Sequence, residues 1–330
     1  MVSTLFSIAP LTSLRDNKEL FLFLLFPIFW LVLKEPGRQA LSLRVVQVSA
    51  LLSALVGLFS VLRKGILLYD RLTGFTSHWM TYAGLLMLVF VFSVVERWLD
   101  KGKKGDWFSL AVLAVILAAI LCSLTRSVWL GVFVALLLFI LCQRPRLLAA
   151  ALPVGLALLL LLPASVKSRF LSIVDLHDES NRDRLHMVHT GWQIFRHYPL
   201  TGVGANNVPQ VYGRFLHPDS DKINMHLHNN FLQTLAERGP ATTLCLLLAF
   251  VFIFIELARR AKAANAPARY WAHASLYAFV AFVVAGFFEY NFGDSEIKAL
   301  LFYFLALPLA AAAGGDQGGN GERDVEPAAV

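Results

Sequence analysis

Nine apolar runs, at roughly 20–33, 45–62, 78–95, 107–124, 126–142, 147–163, 241–258, 271–290 and 297–313, constrain this chain more than any other feature. Most are long enough to cross a hydrocarbon core of about 30 Å as helices. No alternating strand pattern accompanies them, and unpaired backbone cannot face lipid, so each is expected to be a helix. Hydrophobic residues make up 57% of the chain, a share beyond that of soluble domains. The expected fold class is an all-α membrane protein of about nine transmembrane helices, with one long loop between the sixth and the seventh.

Basic residues in alternate short connections set the orientation, because the excess stays cytoplasmic. Thirteen Lys and Arg fall in the set containing Arg97, Arg144 and Arg259, against seven in the set containing Arg71, Arg126 and Lys298. The 164–240 segment is thereby placed outside, on the periplasmic face if the cell is Gram-negative. Residues 1–163 are expected to hold the amino-terminal transmembrane helices, 164–240 the periplasmic loop with the chemistry, and 241–313 the carboxy-terminal transmembrane helices. Residues 314–330 read as a Gly-rich disordered tail. This topology leaves Met1 outside with no helix to carry it there, which implies a missing amino-terminal portion. The net charge of +7 is mostly absorbed by cytoplasmic connections and the long loop, so nucleic acid is not an expected partner. Cys122, Cys142 and Cys245 are odd in number and lie in apolar runs, which points to core packing and not to a disulfide framework.

The polar residues with chemical potential concentrate near the long loop. Leu185, Val188, Trp192 and Phe195 recur at helical spacing up to the Tyr198-Pro199 break, which predicts an amphipathic helix against the membrane face. Arg182 and Arg184 open that helix, as solvated headgroup contacts or as anion ligands. Gly202 and Gly204 flank Val203 in a turn that either connects elements or lets backbone approach a ligand. His226, His228, Asn229 and Asn230 precede the next helix, where imidazole can act as a base or simply hold a loop. A metal set drawn from His217, Asp219, Asp221, His226 and His228 matches no tight ligand spacing. Arg126, near the outer end of two spans, needs a partner because an unpaired guanidinium in hydrocarbon is costly. Glu289, Asn291, Asp294 and Glu296 lie on the same side and offer three roles: pairing with Arg126, binding sugar hydroxyls, or solvating helix ends.

Taken together, LTRSVWLG, NRDRLHMVHTGWQIFRHYPLTGVGANN and HLHNNFLQTLAERG resemble the signature regions of the O-antigen ligase and polymerase superfamily, and GFTSHWMTYAGLLM resembles a further segment. The resemblance spans roughly residues 5–310 and departs from the family in lacking its first two or three helices and in a compact loop. It implies a type C glycosyltransferase-like fold in the bacterial inner membrane, multi-pass, with the active site facing the periplasm. It further implies inverting transfer of a glycan from undecaprenyl diphosphate to a sugar hydroxyl of lipid A-core or another glycan, with no cofactor and no essential metal. Arg126 and Arg184 would neutralise the leaving diphosphate, with Arg182 as an alternate. His228 would be the general base, His226 its alternate or orienter, Asn229 a substrate contact, and Gly202 and Gly204 would shape the loop around the ligand. Membrane lipids and the carrier-linked oligosaccharide are the implied partners. Two neighbouring activities share these residues, an O-antigen or exopolysaccharide polymerase and a protein O-oligosaccharyltransferase. From a different class, a polysaccharide transporter or flippase predicts inverted repeats with broken helices, which the sequence does not display.

Overall fold

A computed structural model describes residues 2–100, 102, 106–149, 153, 155, 160–262 and 266–318. Among the described residues every regular element is helical. In chain order these are α1 (Val2–Leu5), α2 (Pro10–Asp16), a 3₁₀ helix (Asn17–Leu24), α3 (Leu25–Val32), α4 (Pro36–Lys64), α5 (Trp79–Leu99), α6 (Trp107–Cys122) and α7 (Arg126–Gln143). After the 147–163 run, about half of which lies outside the described residues, come α8 (Ala164–Leu171), α9 (Glu179–His197), α10 (Val208–Tyr212), α11 (Asn230–Arg260), α12 (Ala266–Ala285) and α13 (Ser295–Gly318).

Five of these helices are long and apolar enough to cross a membrane, at Gly37–Lys64, Trp79–Leu99, Arg126–Gln143, Asn230–Arg260 and Ser295–Ala313. α6 is shorter, its 16 residues rising about 24 Å. The 20–33 run is split between the 3₁₀ helix and α3. α12 is the central element, packed on α5, α7, α11 and α13. Its small residues Ala274, Ala278, Ala281 and Ala285 are almost wholly buried, and they let neighbours approach closely, as small residues do in membrane bundles. A Cβ on Gly131 of α7 would sit 2.7 Å from the Ala281 carbonyl, so α7 and α12 meet backbone to backbone. Phe250, Phe279, Phe282 and Phe292 lock α11 to α12 through edge-on ring contacts. All three cysteines are free, and Cys142 and Cys245 are exposed on helix surfaces, not packed in the core as expected. Residues 314–318, assigned to the tail from sequence, continue α13, and 319–330 lie outside the described residues.

A smaller core forms in the 164–240 region from Met187, Ile194, Val203, Val208, Val211, Tyr212, Leu227 and Ala236. α9 turns Met187, Thr190, Gly191 and Ile194 into it. The stripe expected against the membrane is the opposite face, where Leu185, Val188 and Trp192 are roughly half exposed.

The PLTGVG turn has a definite structural task. α11 is interrupted at Gly239, whose φ of 76° and ψ of 176° suit glycine alone, and Pro240 follows with no N–H to offer the Ala236 carbonyl. The orphaned carbonyls are satisfied from the turn: Val203 N–H donates to Ala236 O at 2.9 Å, and Gly204 N–H donates to Glu237 O at 2.8 Å. Ser3 Oγ adds a second donor to Glu237 O at 2.9 Å. Gly202 and Gly204, at φ 67° and 94°, are needed because a Cβ on either would collide, with the 236–237 backbone or with Ser7 and Ser13. Gly239→Ala places a Cβ 2.2 Å from the Leu200 carbonyl in a backbone region reserved for glycine. A loss of at least about 3 kcal/mol is expected, read as a drop in apparent Tm of the purified protein; a parental Tm would refute the clamp.

Candidate active site

The site is organised around Asp178. As N-cap of α9 its carboxylate accepts the Asn181 N–H at 3.2 Å. The same carboxylate lies 3.0 Å from Arg126 Nη2 and 3.5 Å from Arg169 Nη1. The first contact is not aligned as a hydrogen bond, so it holds Arg126 by charge alone. Alignment comes instead from Arg126 Nη1, which donates to the Ser172 carbonyl at 2.7 Å and to Ser172 Oγ at 2.9 Å. Arg126 is buried in the first turn of α7, two residues after Leu124, which is held at φ 53°. A branched side chain in that left-handed region is unusual and marks a constrained turn.

Arg184 lies on α9, six residues beyond Asp178. Its Nε donates to the Phe288 carbonyl at 3.2 Å and its Nη1 to Ser180 Oγ at 3.0 Å. The residue after Phe288 is Glu289, whose carboxylate is 2.9 Å from His228 Nδ1. The backbone of α9 and the Phe288–Glu289 peptide thus connect the Arg126–Asp178 pair, Arg184 and the Glu289–His228 pair in series. Because an ionised carboxylate only accepts, Nδ1 carries the proton in this pair and Nε2 keeps its lone pair.

The His-Asn-Asn sequence explains how His228 is held. His228 itself sits at φ 45°. Asn229 caps α11, its Oδ1 accepting from Phe231 and Leu232 N–H at 2.9 Å each, while its Nδ2 donates to Phe287 O at 2.9 Å. Asn230 N–H donates to Gly286 O at 2.8 Å, and its amide exchanges hydrogen bonds with Asn291 and Phe292. The start of α11 is thus tied to the 286–292 turn at two successive residues, Asn229 and Asn230, and this tie sets Glu289 opposite His228.

Charge around this line is strongly positive. Burial and the neighbouring guanidinium groups of Arg126 and Arg71 push Arg169 down to about 10, with Asp178 opposing. Burial lowers Arg184 as well, with Arg126 adding to the effect and Glu289 countering it. Burial, then Arg126 and Arg184, lowers Arg71, which stacks over the Trp79 ring at 5.2 Å. Despite these shifts, the Arg71, Arg169 and Arg184 guanidinium groups stay protonated at neutral pH. Burial pushes the Glu289 carboxyl up, but the hydrogen bond from His228 and the positive charge of Arg184 hold it below the usual range. Burial, helped by His228 and His78, lowers His226 to about 4.

His226, His228 and Glu289 each offer one metal-ligand atom within 4.8 Å of the others, a mixed set of the kind zinc accepts. The surrounding arginines oppose a dication there. Of His217, Asp219, Asp221, His226 and His228, the residues weighed as ligands from sequence, His226 and His228 belong to this group, whereas His217 stacks on His186 at 4.3 Å and its Nδ1 accepts the Asp219 N–H at 3.1 Å.

A profile of the O-antigen ligase family matches residues 110–247, from α6 through the first half of α11 and just past its break. A comparison with curated proteins gives no match. The matched segment contains Arg126, Asp178, Arg184 and His228, whereas Arg71 and Glu289 lie outside it.

Of the residues anticipated from sequence, Arg126, Arg184, His226 and His228 are brought together. Arg182 is exposed and acts electrostatically on Glu179. Asn229 uses its amide in capping, and Gly202 and Gly204 face protein backbone and serines. Glu289, for which pairing with Arg126, binding sugar hydroxyls and solvating a helix end were all open, pairs with His228. Arg71, Arg169 and Asp178 went unnoticed in the sequence; the Asp-x-x-Asn N-cap spacing was the one visible sign for Asp178.

Two outcomes follow for stability. Asp178→Asn leaves two buried guanidinium groups without their carboxylate and should cost about 3 kcal/mol, seen as a lower Tm. His226 is depressed in the fold, so its contribution is complete above about 6.5 and is lost as pH falls toward about 4. Between those limits the parent should lose on the order of 3 kcal/mol more than His226→Gln, measured by parallel thermal unfolding. Equal losses in both proteins would show that His226 is not held neutral.

Proposed function

We propose that the chain transfers a glycan from undecaprenyl diphosphate to a sugar hydroxyl of lipid A-core, with inversion, at the periplasmic face of the bacterial inner membrane. The observation that carries this reading is the gathering of Arg71, Arg126, Arg169 and Arg184 beside a His–Glu pair, with one shared carboxylate between two of them. The family match supports ligase- or polymerase-type chemistry in general.

The chemistry follows from the groups present. The acceptor oxygen attacks the anomeric carbon and the carbon–oxygen bond to the diphosphate breaks, its electron pair leaving on the phosphate. No acid is needed, because diphosphate is already a good leaving group, but its growing charge needs preorganised cations. Guanidinium groups supply them in a fixed donor fork. The hydroxyl proton passes to His228 Nε2, the nitrogen left free by the Glu289 contact, and Glu289 stabilises the imidazolium that forms. Arg126 and Arg184 are assigned to the diphosphate together with Arg71 and Arg169, His228 to the base, and Glu289 to holding its tautomer.

The test is transfer by protein in lipid, supplied with undecaprenyl-diphosphate oligosaccharide and either lipid A-core or a second carrier-linked glycan, in EDTA. His228→Ala and Arg184→Ala should each lower the rate by about 10²–10⁴, and Glu289→Gln by about 10². Parental rates in His228→Ala would overturn the base assignment. Loss of activity in EDTA restored by zinc would instead assign His226, His228 and Glu289 to a metal. Turnover with the second glycan alone would make the enzyme a polymerase.

A further inference from the structure

A cavity of about 580 Å³ opens beside the His228–Glu289 pair, and none of the four arginines lines it. His226, His78 and Glu289 form the end it shares with the active site, and Tyr290 stands next to them. Its charged lining consists of five carboxylates, Asp16, Glu19, Glu237, Glu289 and Asp294, and two bases, Arg238 and Lys298. Both bases are already paired: Arg238 Nη2 lies 3.1 Å from Asp16, and Lys298 is joined to Glu19. Asp294 accepts from Thr81 Oγ1 at 3.0 Å and has no ion-pair partner among the described residues. Away from this polar end the walls are Phe23, Leu246, Phe250, Ile253, Phe302 and Leu305, contributed by the 3₁₀ helix, α11 and α13.

Two properties of this space identify its occupant. The excess of carboxylates repels phosphate and carboxylate groups, so a diphosphate belongs on the arginine side and not here. Carboxylate oxygens, neutral imidazole and a tyrosine ring together suit sugar hydroxyls or an amine, and the apolar walls between membrane helices suit an alkyl chain. We infer that this cavity is the acceptor site and takes a lipid-anchored saccharide whose sugar beside the base is neutral or amine-bearing. The inference rests on the transfer reaction proposed above for the sidedness of donor and acceptor, but occupancy of the cavity can be measured without turnover.

The probe is an octyl glucoside carrying a diazirine on its chain, with glucosaminide and glucuronide versions of the same compound. Each is photo-crosslinked to the full chain in lipid nanodiscs, and labelled peptides are mapped by mass spectrometry. The glucoside and glucosaminide should label segments 245–253 and 301–305, and the glucuronide at least about tenfold less, since like charge in the pocket excludes it. Glu19→Gln combined with Asp294→Asn should remove most of that discrimination by restoring glucuronide labelling. Phe302→Trp, which fills the apolar end, should reduce labelling by all three probes. Equal labelling by the glucuronide, labelling spread evenly over lipid-facing helices, or displacement of the glucoside by the undecaprenyl-diphosphate donor would each overturn the assignment. If labelling follows the expected pattern while no glycan transfer is found, the cavity stands and the proposed reaction fails.

Discussion

A guanidinium group at the end of a membrane helix has to be compensated, and the compensation of Arg126 organises this site. Asp178 answers Arg126 and Arg169 while capping α9. One carboxylate thus fixes the end of α7, the position of α8 and the start of α9 together. Because α9 is rigid from its cap onward, Arg184 is delivered at a set rise from Asp178, against the Phe288 carbonyl. That contact carries the arrangement to the 286–292 turn and so to Glu289 and His228. One carboxylate shared by two buried guanidinium groups also leaves net positive charge unanswered, which is the property an anionic leaving group needs.

A second constraint comes from the broken helix. Gly239 and Pro240 interrupt α11 between its active-site half and its apolar half, and a bare break would strand the carbonyls of residues 236 and 237. The PLTGVG turn supplies the missing N–H donors, with glycines where any side chain would collide. The first half of α11 can therefore run from His228 to the kink at an angle independent of the membrane segment. Two conspicuous sequence motifs, distant in the chain, turn out to be halves of one backbone joint.

The division of charge across His228 gives the site a direction. Arginines lie on one side of the His–Glu pair and carboxylates on the other, with histidines between. Burial keeps His226 neutral in that boundary, so the polar surface there offers hydrogen bonds without adding positive charge. In the transfer reaction proposed above, such a gradient would separate an anionic leaving group from a hydroxyl-bearing partner by electrostatics, before any shape complementarity is considered.

The all-helical class, the helix of 179–197 ending at its proline, and the passage of 230–260 into an apolar span were all legible in the sequence. Each depends on interactions within a few residues: hydropathy, caps and the φ restrictions of glycine and proline. Arg126, Arg184, His226 and His228 were legible as candidates for the same reason, since chemistry-bearing residues beside glycine turns stand out in an apolar chain. Tertiary structure alone decided that Glu289 faces His228 across 61 positions, that Arg71 and Arg169 join the cluster, and that Gly202 and Gly204 serve a helix break. It also showed Asn229 committed to capping. Those pairings depend on where α9 and the 286–292 turn dock on α11, which is set by packing between distant segments and leaves no periodic trace along the chain.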